Sequence, residues 1–177
     1  MSTRTAVTRT IRLDGDTDRA LSALAEKERV SVNFLVNRAL RKFIEWDVYA
    51  EKFGFVSIPA SLITKMMTYL SDDEAKEMGR WAGENLVKDF LTFWFKEVSI
   101  TTVVKGYPAL ESKYGKSFEY EEHVDGGKWT IILKHGRGLK WSYYYEEVLR
   151  SVFENLLKLE VKPEKTENQV VARFSAM

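Results

Sequence analysis

The first pattern along the chain is an alternation of polar and apolar residues in "TRTIRL", Thr8 to Leu13. Thr10 and Arg12 face one side of such a backbone and Ile11 and Leu13 face the other, which is typical of a half-buried strand. No second strand follows in this part of the sequence. The pattern therefore leaves this strand without a partner from its own neighbourhood.

Two helical patterns follow the strand. Asp14 predicts the N-cap of a first helix that ends near Glu28, and Ser31 predicts the N-cap of a second helix, "VNFLVNRALRKFIEW". Their apolar stripes consist of Leu21, Leu24 and Ala25 in the first helix and of Phe34, Leu35, Ala39, Leu40 and Phe43 in the second. One strand and two short helices bury too little apolar area to fold alone. We therefore expect two copies to associate, with their strands paired antiparallel.

Basic charge is concentrated on the strand and the second helix, although the net charge of the chain is only +1. Residues 1–13 and 29–44 contain no acidic residue, whereas the first helix is rich in Asp and Glu. Paired strands from two copies would present Thr8, Thr10 and Arg12 on the outer face of a ribbon. A two-stranded ribbon fits the major groove of DNA, where hydroxyl and guanidinium groups read base edges.

Residues 7–46 resemble the ribbon-helix-helix regulators of the MetJ/Arc/CopG type. The resemblance rests on "TIRLD", on Leu21 and Leu24, and on "VSVNFLVNRAL". It implies an intertwined dimer in which alternate strand residues contact bases. The residues at the corresponding positions here are Thr8, Thr10 and Arg12.

The resemblance also implies phosphate contacts from the start of the second helix, which corresponds here to Ser31, Val32 and Asn33. Helix N-termini bind anions, so this implication agrees with elementary electrostatics. Further attraction to phosphate is expected from basic side chains nearby, namely Arg4, Arg9, Arg38 and Arg41.

Two residues depart from the family pattern. Arg29 stands between the helices where glycine is common, so the turn must be closed differently or strained. Thr17 stands where an apolar residue is usual. The alternative interpretation of residues 1–50 is a dimerisation module in which the outer strand residues only face solvent.

The pattern over residues 55–177 predicts a second, α+β domain with a small antiparallel sheet. We expect this domain to act as a sensor or to drive oligomerisation. We expect a helix over residues 57–70 with Pro59 near its first turn, and a helix over 71–95 with Ser71 as N-cap. Gly106 and Pro108 are expected to interrupt the next helical stretch. A hairpin, "SFEYEEHV-DGG-KWTIILKH", a long helix from Ser142 and a last strand, "NQVVARF", follow.

Catalytic and metal-binding patterns are missing from the sequence, so we expect no enzyme, no cofactor and no metal site. The chain has no cysteine and two histidines, His123 and His135. A two-residue turn at Gly126 and Gly127 would place His135 opposite Phe118 and on the order of 17 Å from His123. A three-residue loop would leave the two histidines six residues apart, so with either turn they cannot share a metal ion within the hairpin. No Walker A, HExxH or GxSxG motif occurs.

A cluster of His135, Arg137, Lys140 and Trp141 at a strand end and a helix start is the candidate site for an anionic ligand. In the alternative interpretation His135 caps the sheet, the two cations are solvated and Trp141 is part of the core. The many aromatic residues of this domain can line a pocket, or form a core or an oligomer interface.

These patterns together predict a site-specific DNA-binding transcriptional regulator. Its expected partners are double-stranded DNA, a second copy (as a homodimer or a dimer of dimers) and a small-molecule effector. With no long apolar segment and no secretory h-region, we expect a cytoplasmic, nucleoid-associated protein without membrane contact. One alternative is a protein-interaction module such as an antitoxin, and another is a ligand-binding or enzymatic domain with an N-terminal dimeriser.

Overall fold

The structure, a computed structural model, describes residues 7–175. It combines helices with one antiparallel sheet, so the predicted α+β class is confirmed. The chain divides into two compact units, Met1–Ile44 and Glu45–Met177, called unit 1 and unit 2 below.

Unit 1 consists of two helices, α1 (Gly15–Glu28) and α2 (Val32–Lys42), preceded by residues 7–14 without helix or strand. Asp14 caps α1 as predicted, because its carboxylate accepts the N–H groups of Asp16 and Thr17 at 3.1 and 2.8 Å. The hydroxyl of Thr17 also donates to this carboxylate, at 2.7 Å. Thr17 therefore strengthens the cap at a position where the family pattern has an apolar side chain.

The helices of unit 2 begin with α3 (Val48–Phe53), which follows a π-helical turn at Phe43–Asp47. The predicted helix after Pro59 is present as α4 (Ala60–Met67). The predicted helix after Ser71 consists of α5 (Asp72–Trp81), a π-helical turn (Ala82–Val87) and α6 (Lys88–Phe95). Ser71 caps α5 in a reciprocal capping box with Glu74, which confirms the predicted start.

The expectation that Gly106 and Pro108 interrupt the next helical stretch is wrong. Helical structure runs through both residues in a π-helical turn (Thr102–Gly106), α7 (Tyr107–Leu110) and a second π-helical turn (Glu111–Gly115). Proline has no N–H to donate to the carbonyl four residues earlier, here that of Val104. The Tyr120 hydroxyl donates to this carbonyl at 2.7 Å and replaces the missing bond.

The sheet contains β1 (Glu119–Asp125), β2 (Lys128–Lys134), β3 (Glu164–Lys165) and β4 (Gln169–Ser175) in the order β1-β2-β4-β3. All neighbours are antiparallel. The predicted hairpin is confirmed, and its turn has two residues, since Asp125 pairs with Lys128 around Gly126 and Gly127, whose φ angles are +54° and +80°. The last strand is also confirmed, whereas β3 was not predicted.

The core of unit 2 is built around α8 (Leu139–Ser151) and the π-helical turn that follows it (Val152–Leu157). Phe153, Ile131 and Val170 are among its most deeply buried residues. Two glycines let the helical segment from α5 approach α8. A Cβ on Gly79 would lie 2.3 Å from the Tyr144 carbonyl oxygen, and a Cβ on Gly83 would lie 2.8 Å from the Cβ of Ser151.

Candidate nucleic-acid interface and ligand pocket

Unit 1 leaves most of its apolar side chains uncovered. Among its described residues 7–44 only Ala25 and Leu35 are buried. Phe34, Phe43 and Ile44 are 51%, 55% and 65% exposed. The other large apolar residues exposed here are Val7, Ile11, Leu13, Leu24 and Leu40. This many exposed large apolar side chains in one small unit favours association with a partner.

The connection between α1 and α2 is closed by a non-glycine residue in the left-handed conformation. Arg29 has φ +55°, and its N–H donates to the carbonyls of Ala25 and Glu26. The N–H of Val30 donates to the Ala25 carbonyl at 3.0 Å. Arg29 therefore performs the capping that glycine usually performs, at a steric cost that glycine would not carry.

The start of α2 offers backbone donors to an anion. Ser31 caps the helix by accepting the N–H of Phe34 at 3.1 Å, as predicted. Val32 and Asn33 supply the two N–H groups before this capped one, and first-turn N–H groups lack partners inside a helix. The side chain of Asn37 donates to both the carbonyl and the side-chain oxygen of Asn33, at 2.8 and 2.9 Å, and so holds the Asn33 side chain in place.

The strand predicted over residues 8–13 is not formed in the single chain, where this segment has no regular structure and no partner strand within residues 7–175. Thr8, Arg9, Thr10 and Arg12 are all exposed there. Arg4 lies outside the described residues.

Two basic residues of α2 were expected to attract phosphate. Arg41 is exposed. Arg38 forms an ion pair with Glu28 at 3.0 Å, and this pairing offsets part of its charge.

His135, in the predicted anion site of unit 2, is buried and fully engaged by its neighbours. Its Nδ1 accepts the N–H of Arg137 at 3.2 Å, and its Nε2 lies 3.0 Å from the Ser142 hydroxyl. That hydroxyl donates to the carbonyl of Glu167 at 3.1 Å. The arrangement fits a neutral ring protonated at Nε2. Burial, with a smaller contribution from Arg137, lowers the pKa of His135 to about 4.

Of the other three predicted residues, Arg137 and Trp141 contact each other, whereas Lys140 binds elsewhere. Lys140 donates to the carbonyl of Leu70, just before α5. Arg137 donates to the carbonyl of Lys116 at 2.7 Å, and its guanidinium lies 5.3 Å from the centre of the Trp141 ring. Arg137 also lines an open groove of about 590 Å³ together with His135.

Arg137 and Trp141 line a second cavity of about 390 Å³, called the aromatic pocket below. Its lining includes seven aromatic residues besides Trp141: Phe53, Phe55, Phe90, Tyr107, Phe118, Tyr144 and Tyr145. Trp141 is only 8% exposed, and its Nε1–H has no hydrogen-bond partner within residues 7–175.

A buried carboxyl group also lines the aromatic pocket. Glu111 is 5% exposed, and its Oε2 accepts the hydroxyl of Ser117 at 2.6 Å. Burial raises the pKa of this carboxyl group, and the hydrogen bond from Ser117 opposes the increase. Sequence reasoning missed Glu111 and Ser117, because a glutamate in a helical stretch is ordinarily exposed to solvent.

No protein-family model and no curated protein matches the chain. In the part of the chain that the structure describes, none of the helices is long and apolar enough to cross a membrane. Within the same residues, no three histidine or carboxylate side chains are grouped as a metal site.

Proposed function

We propose that the protein is a dimeric, site-specific DNA-binding regulator of the ribbon-helix-helix type. In this proposal unit 1 pairs with a second copy and reads the major groove, and unit 2 senses a ligand or drives further oligomerisation. The observation that carries the proposal is the exposed apolar surface of unit 1, which a single copy leaves uncovered.

Two features of isolated unit 1 favour pairing with a second copy: the unpaired backbone groups of residues 8–13 and the exposed apolar side chains. Pairing residues 8–13 antiparallel with their own copy would satisfy backbone groups that no strand of the same chain pairs with in the described residues. It would also turn Ile11 and Leu13 toward a shared core with Phe34 and Leu40. Fully burying an exposed side chain of this size contributes about 1.5–3 kcal/mol, and these four side chains in each copy would contribute part of that amount each.

In the dimer, the outer face of the ribbon would carry Thr8, Thr10 and Arg12 twice, related by two-fold symmetry. We assign base recognition to these side chains, with Arg12 most suited to guanine. The N–H groups of Val32 and Asn33 at the capped start of α2 would hold a phosphate group. Arg9 and Arg4 would add attraction that does not depend on the base sequence.

Selection of bound duplexes from a random DNA pool, at two salt concentrations and with the full chain, tests the proposal. We expect enrichment of a short palindrome, because a two-fold dimer reads two equivalent half-sites. Arg12→Ala should weaken binding to that site by about 1–3 kcal/mol and relax the base preference. Arg173→Ala, which removes an exposed arginine of β4 in unit 2, is the matched control and should bind as the unaltered chain does.

Two outcomes would contradict this assignment. An equal loss on enriched and random duplexes for Arg12→Ala would remove its role in base recognition. No binding to any duplex, with a dimer still present in sedimentation, would leave unit 1 as a dimerisation module. Co-purification of a stoichiometric protein partner would then favour the interaction-module alternative.

A further inference from the structure

The aromatic pocket has the size and composition of a small-molecule site. Its volume of about 390 Å³ lies in the range of about 300–1,000 Å³ that ligand pockets occupy. Its lining is mainly aromatic with a few polar groups, which is the usual composition of such sites. Phe55, Val56 and Leu86 line the pocket and are 39%, 77% and 41% exposed, so the pocket is accessible from solvent at these residues.

A buried donor without a partner indicates what the ligand must supply. Buried N–H groups are nearly always hydrogen-bonded, and leaving one unsatisfied costs about 1–3 kcal/mol. The indole N–H of Trp141 has no partner within the described residues, although this side chain lines the pocket. The nitrogen itself has less than 1 Å² of accessible surface, so an acceptor oxygen on a bound molecule would satisfy it once binding shifts the side chains that cover it.

The charged groups of the pocket are one of each sign, so they give no net preference for an anion or a cation. Glu111 would repel an anion whenever its carboxyl group is ionised. Arg137 would repel a cation, and its guanidinium already donates to the Lys116 carbonyl and lies over the Trp141 ring. With one lining residue of each sign, neither an anion nor a cation gains a net attraction that offsets its loss of hydration in a mainly aromatic pocket, so an uncharged molecule is favoured.

We propose that the aromatic pocket binds an uncharged, mainly apolar small molecule, aromatic or polycyclic, whose acceptor oxygen receives the Nε1–H of Trp141. Only the role of this molecule as an effector rests on the function proposed above. The binding site itself stands on the pocket and its unsatisfied donor.

The test uses prodan, an uncharged naphthyl ketone whose emission shifts to shorter wavelength in apolar surroundings. Titrating prodan with the full chain should give saturable binding of one molecule per chain. Trp141→Phe keeps an aromatic ring and removes the donor, so it should weaken binding about tenfold, as expected for one hydrogen bond. Trp129→Phe is the matched control, because Trp129 packs on Phe174 and does not line the pocket.

Competition in the unaltered chain tests the charge preference without any substitution. Acetylnaphthalene and naphthoate share the same ring system and differ in charge. Acetylnaphthalene should displace prodan, and naphthoate should require at least about ten times the concentration, since its carboxylate loses hydration in the mainly aromatic pocket without a net attraction from the lining charges.

Each opposite result would overturn part of the proposal. Absence of saturable prodan binding would remove the pocket as a ligand site. Equal affinity in Trp141→Phe and the unaltered chain would remove the hydrogen bond, and displacement by naphthoate at equal or lower concentration would remove the preference for uncharged ligands. These measurements contain no DNA, so their failure is distinct from a failure of the duplex selection.

Discussion

Protonation of His135 should destabilise unit 2 as the pH falls. The folded protein holds this side chain neutral with a pKa of about 4, below the ordinary value of 6.5. Between these two pH values the unfolded chain binds a proton that the folded chain does not, so the free energy of unfolding decreases as the pH decreases. At about 1.4 kcal/mol for each pH unit, the full window corresponds to about 3 kcal/mol.

His135→Gln removes this titration and keeps a side-chain N–H that can reach the Ser142 hydroxyl. Urea unfolding followed by tryptophan fluorescence at several pH values between 7 and 4 measures the difference. All five tryptophans lie at residue 46 or beyond, so the fluorescence reports unit 2 alone. The unaltered chain should lose up to about 3 kcal/mol more than the variant over this range.

The carboxylates that also titrate in acid are present in both the unaltered chain and His135→Gln. The difference between the two proteins in the pH dependence of unfolding free energy therefore measures the contribution of His135. His123→Gln, a substitution of an exposed histidine on β1, is the matched control and should follow the unaltered chain. An identical pH dependence in His135→Gln and the unaltered chain would refute the reasoning, since it would mean that the buried ring accepts a proton without cost.

Three further substitutions test other contacts of unit 2, each by urea unfolding. Tyr120→Phe should cost about 1–3 kcal/mol, because it leaves the Val104 carbonyl without its donor; an unchanged stability would mean that another group satisfies this oxygen. Gly83→Ala should cost about 1–3 kcal/mol, since the new Cβ would lie 2.8 Å from that of Ser151; a neutral effect would show that α8 can move away. Glu111→Gln should increase the free energy of unfolding more at pH 7 than at pH 4: the raised pKa means that the folded state holds its proton to higher pH than the unfolded chain, so this group costs stability as the pH rises. An equal effect at both pH values would contradict the burial of an ionisable carboxyl.

The elements that sequence reasoning located are those specified by neighbouring residues. Asp14, Ser31 and Ser71 were assigned as N-caps, and each accepts an N–H three residues later. The Gly126–Gly127 turn sets the register of the hairpin, because two adjacent residues with positive φ close a two-residue loop. Interactions between residues so close along the chain can be predicted from the sequence alone.

The features that sequence reasoning missed depend on partners far along the chain. Pro108 stays within a helical stretch because Tyr120, on a strand, supplies the donor that proline removes. Strand β3 has two residues and exists through its pairing with β4. A stretch this short has no periodicity of its own to detect.

The sequence by itself determined where α1, α2 and α5 begin, where the hairpin lies and where basic charge is concentrated, because caps, turns and charge runs act over a few residues. Only the tertiary structure brought Glu111 and Trp141 to the same pocket and left one indole N–H there without a partner. It also placed Lys140, predicted to help bind an anion, in a hydrogen bond to the carbonyl of Leu70. Burial and hydrogen-bond satisfaction depend on which distant segments pack together, and no local pattern of residues encodes that outcome.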